Sequence, residues 1–116
     1  MASWTDVTRI LGSVKGVTRK AGVRQWRVKD KLAAWERPLR KADLEALGDA
    51  APEGPILAVY TPLEVKAALL KSKPRVYFTT PHFDGYPATL VQLEKISAGE
   101  LRKLLAASCA ERARAR

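Results

Sequence analysis

Three side chains within five residues, His82, Asp84 and Tyr86, are of the types that carry acid–base chemistry. A His beside an Asp can act as a base together with the residue that orients it. No nucleophile or second carboxylate stands at a spacing that would complete such a site, so the sequence predicts that the protein is not an enzyme. Asp84-Gly85 is a typical turn sequence and favours a structural role for this loop. Contact of His82, Asp84 and Tyr86 with a small ligand or with DNA is the alternative.

A second group of residues is basic. Four cationic side chains fall within eight residues and two more directly precede them: Arg19, Lys20, Arg24, Arg27, Lys29 and Lys31. On a β-ribbon such side chains bind DNA phosphates, and Arg27 has the paired donors that read a guanine edge. The alternative is a solvated hairpin whose lysines prevent edge-to-edge aggregation. The sequence predicts DNA contact by these six residues and by Arg75, which precedes a later strand.

The charge of the chain favours a polyanionic partner. The 116 residues include 21 Lys and Arg against 12 Asp and Glu, a net charge of +9 at pH 7. Residues 1–40 hold ten cations and three acids, residues 41–70 hold two and five, and residues 71–116 hold nine and four. Nucleic acid is the usual partner for such a balance, and an anionic membrane surface comes second. A well-solvated basic protein without such a partner is the alternative.

Composition places the chain among single globular domains. Hydrophobic residues make up 47% and charged residues 28%, and the length is close to the commonest domain size. No apolar run approaches the ~18 residues of a membrane span, and the N-terminus lacks the pattern of a secretory signal. One cysteine, Cys109, and one histidine argue against a disulfide and a structural zinc site. We expect a cytoplasmic monomer or weak dimer without metal or cofactor, in which Cys109 is a small buried hydrophobe.

The spacing of apolar residues and of turn residues divides the chain into elements. The predicted elements are a helix over 4–14, strands within 17–37, a helix over 43–47, a strand over 56–60, a helix over 61–70, strands over 75–79 and 89–93, and a helix from 97. A frayed basic tail from about residue 112 follows. This order predicts one α+β domain.

The turn at Lys29-Asp30 predicts the pairing of the first hairpin. A two-residue turn there gives the pairs Val28–Lys31, Trp26–Ala33 and Arg24–Trp35. Because paired residues share a face, the two tryptophans then lie on one apolar side of the ribbon. Core packing is favoured over base stacking for both of them, and Trp4 is expected to anchor the first helix.

Helix starts are predicted from capping residues. Ser3 is the expected N-cap of the first helix, with Asp6 three residues on. Thr61 with Glu64, and Ser97 with Glu100, have the spacing of capping boxes, in which each side chain satisfies a backbone N–H of the other.

The string Pro81-His-Phe-Asp-Gly-Tyr-Pro87, within residues 77–88, resembles the signature segment of the MmcQ/YjbR family of small bacterial DNA-binding proteins. The opening helix, the first hairpin and the closing helix from Ser97 resemble the same family, so the match covers nearly the whole chain. At the hairpin tip the family pattern leads us to expect Gly, whereas this chain has Asp30.

The resemblance implies a double-wing fold, in which two β-hairpins project from an antiparallel sheet that helices cover. It also implies DNA binding and a role in transcriptional regulation. A module that binds a small molecule or a protein through the His82–Tyr86 loop is the alternative function.

Overall fold

The helices and strands follow the predicted order along the chain. A computed structural model describes residues 1–114. Its strands are β1 (Val17–Arg19), β2 (Gln25–Val28), β3 (Lys31–Glu36), β4 (Ile56–Tyr60), β5 (Tyr77–Phe78) and β6 (Ala88–Gln92). Its helices are α1 (Trp4–Gly12), α2 (Lys41–Leu47), α3 (Leu63–Ser72) and α4 (Ala98–Arg114). The strands form one antiparallel sheet in the order β1-β2-β3-β4-β6-β5, which confirms the predicted α+β domain.

The sheet buries apolar side chains on both of its faces. On the first, here called the helix face, α1 and α4 pack over Trp26, Val28, Leu57, Val59 and Val91. On the second, here called the groove face, a smaller cluster contains Trp35, Ile56, Ala58, Leu90 and Phe83. Each fully buried Leu or Val contributes roughly 1.5–3 kcal/mol. The helix face therefore supplies most of the stability, and the groove face has less cover.

The start of α1 is as predicted. The Ser3 hydroxyl accepts a hydrogen bond from the backbone N–H of Asp6, whose carboxylate accepts one from the Ser3 N–H at 2.9 Å. These reciprocal bonds satisfy two backbone donors at the helix end. The helix then buries Val7, Ile10 and Leu11 on one face.

The predicted capping box at the start of α3 is wrong. Pro62 occupies the N-cap position and makes no side-chain bond to the helix. The buried Thr61 hydroxyl instead pairs with the hydroxyl of Thr89 on β6, at 2.7 Å. Because an unpaired hydroxyl in the sheet costs more than an exposed helix end, Thr61 is used to join β4 to β6.

The start of α4 forms half of its predicted box. The Ser97 hydroxyl accepts from the Glu100 N–H at 3.1 Å. The Glu100 carboxylate turns away to Lys73 and to the hydroxyl of Tyr77. Hydrogen bonds from Lys73 and Tyr77 hold the pKa of Glu100 below its usual value. This contact joins α4 to β5.

A β-bulge in β3 changes the predicted pairing of the first hairpin. Val28 pairs with Lys31 as expected, but Trp26 pairs with Ala34 and Gln25 with Trp35. Ala33 is the extra residue, so every side chain after it points to the opposite face. Trp26 lies in the core on the helix face, and Trp35 lies half-buried on the groove face. The expectation that both tryptophans share one face is therefore wrong.

Helix α4 satisfies the backbone groups at this bulge. The buried Ser108 hydroxyl donates to the carbonyl of Ala33 at 3.1 Å. One turn later, Arg112 Nε donates to the carbonyl of Leu32 at 2.7 Å, and its guanidinium lies over the ring of Tyr60. Residues 112–114 thus belong to the helix, where the sequence predicted a frayed tail, while residues 115 and 116 lie outside the described residues.

Replacement of Ser108 by Ala tests this support. We expect Ser108→Ala to lower the free energy of unfolding by about 1–3 kcal/mol, because a buried carbonyl loses its donor. Ser72→Ala is the matched control, since that exposed hydroxyl donates to Leu69 one turn earlier in its own helix, and a change within about 0.5 kcal/mol is expected. Urea unfolding measures both, and equal losses would contradict the assignment.

Both residues of the β2–β3 turn adopt left-handed backbone conformations. Lys29 has φ 52° and Asp30 has φ 64°. A turn with two positive φ angles matches the twist of a hairpin but favours Asn-Gly, because other side chains are strained there. The Gly expected at this position from the family pattern would suit the observed geometry.

We therefore expect Asp30→Gly to stabilise the protein by about 0.5–1 kcal/mol, which raises the melting temperature by a few degrees. Asp30→Val should lower it, since a β-branched residue is disfavoured at positive φ. Thermal unfolding followed by circular dichroism measures both variants. A lower melting temperature for Asp30→Gly would contradict this account of the turn.

Candidate functional site

The β1–β2 turn places cationic side chains beside α1. Arg9, Arg19 and Arg24 line a surface depression of 420 Å³, and Lys20 follows in the turn. These four residues are called the basic surface below. Arg9 was not among the residues predicted to contact DNA. It lies on the exposed side of α1, three residues after Asp6.

Two guanidinium groups of the basic surface lie on indole rings. The Arg19 guanidinium carbon is 4.9 Å from the ring centre of Trp26, and that of Arg24 is 4.7 Å from Trp4. Arg19 Nε also donates to the carbonyl of Val23 at 3.0 Å. Cation–π contacts of this kind restrict the guanidinium and contribute about 0.5–1 kcal/mol at exposed sites.

Two carboxylates lower the charge of the basic surface. Asp6 accepts from Arg9 at 2.7 Å, and Glu36 accepts from Arg24 at 3.2 Å. Exposed ion pairs contribute about 0–1 kcal/mol and are screened by salt. A phosphate can therefore compete for either guanidinium at little cost.

The cations of the hairpin tip are directed at backbone carbonyls. Arg27 donates to the carbonyl of Asp30 at 2.9 Å, and Lys29 donates to the carbonyl of Ala113 near the end of α4. Cations are favourable near a helix C-terminus, where carbonyls lack partners. Lys31 is half-buried beside them. These contacts give the tip cations a role in joining the hairpin to α4.

The structure divides the predicted DNA-contacting residues into three groups. Arg19, Lys20 and Arg24 lie at the β1–β2 end of the ribbon, and Arg27, Lys29 and Lys31 at or near the other end. The four residues of β2 separate Arg24 from Lys29, and five steps along the strand give a rise of about 16 Å. Arg75 precedes β5, at the opposite edge of the sheet from β1. The spacing of these residues in the sequence does not separate the three groups, because it does not show at which end of the ribbon or at which edge of the sheet each residue lies.

The loop from Pro81 to Pro87 is held by short-range hydrogen bonds, most of them to the two threonines that precede it. The N–H groups of Phe83 and Asp84 donate to the carbonyl of Thr80 at 2.8 and 2.9 Å. Gly85 has φ 76°, a conformation that glycine adopts without strain. The Asp84 carboxylate accepts from the Thr79 hydroxyl at 3.2 Å, a contact within the turn.

Lys66 holds this loop from beneath, and sequence reasoning missed it. Its ammonium is buried and donates to the carbonyls of Phe83 and Tyr86. Burial disfavours the charged form and lowers the pKa of Lys66, while the charge of Asp84 opposes this shift. The spacing of Lys66 to Leu69 and Leu70, on the inner side of α3, is the pattern that could have identified it.

The loop and the hairpin enclose a groove of 410 Å³ on the groove face of the sheet. Leu32 and Trp35 of β3 line it, and His82, Phe83 and Tyr86 of the loop line it from the other direction. His82 and Tyr86 are exposed, so both side chains are accessible from solvent. Of the three loop residues predicted as possible ligand contacts, the structure therefore brings His82 and Tyr86 to one groove, while Asp84 does not line it.

Arg37 forms a buried ion pair beside the groove. Its guanidinium donates to Asp43 at 3.1 Å and to the carbonyl of Pro38, and lies 5.2 Å from the ring centre of Phe83. Burial alone would raise the pKa of Asp43. The Arg40 N–H and the charge of Arg37 outweigh that effect, so this pKa lies below its usual value. The pair fixes the strand end that leads into α2.

Cys109 is buried, as the sequence predicts, and burial raises the pKa of its thiol. Within residues 1–114, no three His, Cys, Asp or Glu side chains lie together where they could hold a metal ion. No helix in that part of the chain is long and apolar enough to cross a membrane.

Known proteins similar to this chain are bacterial. The chain is 51% identical over 109 residues to the uncharacterized protein Rv2570 of Mycobacterium tuberculosis and to the uncharacterized protein Mb2600 of Mycobacterium bovis. Each match covers 90% of this chain and 84% of the relative. The chain therefore belongs to the same family as these mycobacterial proteins. No family model and no solved structure matches it.

The Arg37–Asp43 pair predicts a dependence of stability on pH. Because the folded pKa of Asp43 lies below the unfolded value of 3.8, its contribution is complete above 3.8 and is lost as the pH falls from there through the folded pKa. Asp43→Asn should cost about 3 kcal/mol or more at pH 7, since it leaves a buried cation unpaired. The stability difference between wild type and variant should shrink from pH 6 to pH 3. Urea unfolding across that range measures it, and a constant difference would contradict the assignment.

Proposed function

We propose that the protein binds duplex DNA through the basic surface. The observation that carries the proposal is the grouping of Arg9, Arg19 and Arg24 on one exposed surface, with Lys20 beside them. Phosphate contacts supply most of the affinity of non-specific DNA binding, and arginine is well suited to bidentate contact with phosphate oxygens. Two of the three guanidiniums lie on indole rings, which reduces the freedom they lose on binding.

The distribution of charge along the fold supports an oriented approach to DNA. Residues 15–31, which form β1, β2 and their turns, contain seven cations and one acid. Residues 42–65 form most of α2, all of β4 and the start of α3. They contain five acids and no cation, and most of the remaining residues are apolar. A polyanion is attracted to the first segment and repelled by the second, which favours one orientation at encounter.

The proposal includes membership of the MmcQ/YjbR family and a role in transcriptional regulation. The Pro81–Pro87 string and the antiparallel sheet with its β2–β3 and β5–β6 hairpins support the first. The second requires binding that distinguishes sequences. Arg27 has suitable donors, but it lies on the groove side of the ribbon, so it would read a base edge only in a duplex that extends from the basic surface to that side. Its contact with the carbonyl of Asp30 would have to be exchanged for a base edge.

Binding to duplex DNA should depend steeply on salt. We expect about 4–6 phosphate contacts, and hence a slope of about −4 to −5 when the logarithm of the binding constant is plotted against that of the salt concentration. Gel-shift titrations with random duplex DNA at several salt concentrations measure it. A slope near zero, or no complex at low salt with micromolar protein, would reject the proposal.

Paired substitutions locate the contacts. Arg9→Gln/Lys20→Gln should weaken duplex binding about tenfold or more and leave the melting temperature within a few degrees, because both side chains are exposed. Arg27→Gln/Lys29→Gln should weaken binding less and lower the melting temperature, because Lys29 joins the tip to α4.

The matched control for these variants is Lys41→Gln/Lys71→Gln, which removes the same charge from the exposed surfaces of α2 and α3. Binding should change by less than about threefold, since distant charges are screened at physiological salt. Equal losses for the control and for Arg9→Gln/Lys20→Gln would show that only net charge matters and that the basic surface is not the contact.

A further inference from the structure

The groove beside the His82–Tyr86 loop has the make-up of a ligand site. Its volume of 410 Å³ lies toward the lower end of the range for small-molecule sites. A sheet face that meets only solvent carries mainly polar side chains. Here β3 instead presents Leu32 and the half-buried Trp35 to the depression.

Aromatic rings line the groove from two sides. Trp35 extends from the sheet, while the rings of His82, Phe83 and Tyr86 form a connected series on the loop. His82 meets Phe83 edge-to-face at 5.1 Å between ring centres, and Phe83 meets Tyr86 in the same way at 5.9 Å. Tyr86 is 47% exposed. A planar ligand can stack on accessible aromatic rings of this kind.

The walls of the groove are held in place without a ligand. Lys66 fixes the backbone of Phe83 and Tyr86 from below, and Arg37 lies between Asp43 and the ring of Phe83. The bulge at Ala33, supported by Ser108, directs Trp35 toward the same space. Preformed walls lower the entropy that binding would otherwise cost.

The polar side chains at the groove indicate which kind of planar ligand it would bind. Arg40 lines the groove, is exposed, and has no ion-pair partner among residues 1–114, whereas Arg37 is neutralised by Asp43. Glu36 also lines the groove, but its carboxylate is paired with Arg24, so Arg40 supplies the positive charge for an anionic group. The amide of Gln25, also at the groove, offers a donor and an acceptor, the combination that reads the edge of a nucleobase.

We propose that this groove binds an unstacked nucleobase between Trp35 and the loop aromatics, with the attached phosphate at Arg40. The base belongs either to a free nucleotide or to a single strand of DNA. The site lies on a different face of the ribbon from the stacked guanidiniums of the basic surface. The proposal therefore does not depend on duplex binding by Arg9, Arg19, Lys20 and Arg24.

Binding is tested with deoxythymidine monophosphate, deoxyadenosine monophosphate and an oligothymidylate of about eight residues. Ligands are titrated by calorimetry, and tryptophan fluorescence is followed in parallel. A base that stacks on Trp35 should quench part of the fluorescence, and Trp35→Phe should abolish that change. Tyr86→Ala and Arg40→Gln, both at exposed side chains, should each weaken binding about fivefold or more. Thermal unfolding of each variant checks that it is folded.

A free nucleotide and a single strand of DNA, the two sources of the base, predict different relative affinities for the mononucleotides and the oligothymidylate. Oligothymidylate that binds at least tenfold more tightly than the mononucleotides identifies a single strand, while similar affinities identify a free nucleotide. The deoxynucleosides, which lack the phosphate, should bind more weakly than the nucleotides, and Arg40→Gln should remove that difference. Arg9→Gln/Lys20→Gln should bind nucleotides like the wild type, whatever its effect on duplex DNA.

Three results would overturn the proposal. The first is no calorimetric or fluorescence change with any of these ligands at millimolar concentration. The second is wild-type affinity in both Tyr86→Ala and Arg40→Gln. The third is preference for 4-hydroxybenzoate, which has a ring and a charge but no base edge, over every nucleotide.

Discussion

Two hydrogen bonds from α4 to the backbone of β3 determine how the two faces of the sheet are used. Ser108 donates to the carbonyl of Ala33, and Arg112 donates to that of Leu32. A bulged residue leaves ladder positions unpaired, and buried carbonyls without donors are costly. With the donors in place, β3 carries one extra residue and Trp35 turns to the groove face. Without the bulge, Trp35 would instead point to the helix face, where Trp26 already fills the space beneath α1 and α4.

Much of the fold follows from local sequence, and the departures have identifiable causes. The N-cap at Ser3 and the turn at Lys29-Asp30 form as predicted, because both depend on residues only a few positions apart. The bulge was not predictable from alternation, since Ala33 and Ala34 are equally compatible with either face. Thr61 also departs from its local pattern, because its partner Thr89 is distant in sequence and offers a buried bond.

The candidate sites also combine features that local sequence predicts with features that depend on distant contacts. Composition indicates a polyanionic partner, and the spacing of Arg19, Lys20 and Arg24 indicates a basic turn. The contribution of Arg9 and the separate position of Arg75 depend on how α1 and β5 pack. Lys66 was missed for a different reason. A lysine in a helix is ordinarily solvated, and the loop carbonyls that it contacts are 17 and 20 residues further along the chain.

The donors that support the bulge come late in the sequence. Ser108 follows Ala33 by 75 residues, and Arg112 follows Leu32 by 80. A ribosome that builds the chain from its N-terminus therefore completes both strands of the first hairpin well before either donor exists. Until α4 docks, neither donor supports the bulged register, and the regular register would place Trp35 on the opposite face. Long-range contacts of this kind form late and slowly. The support for the final register, and with it for the groove, is thus complete only when the last helix has been made.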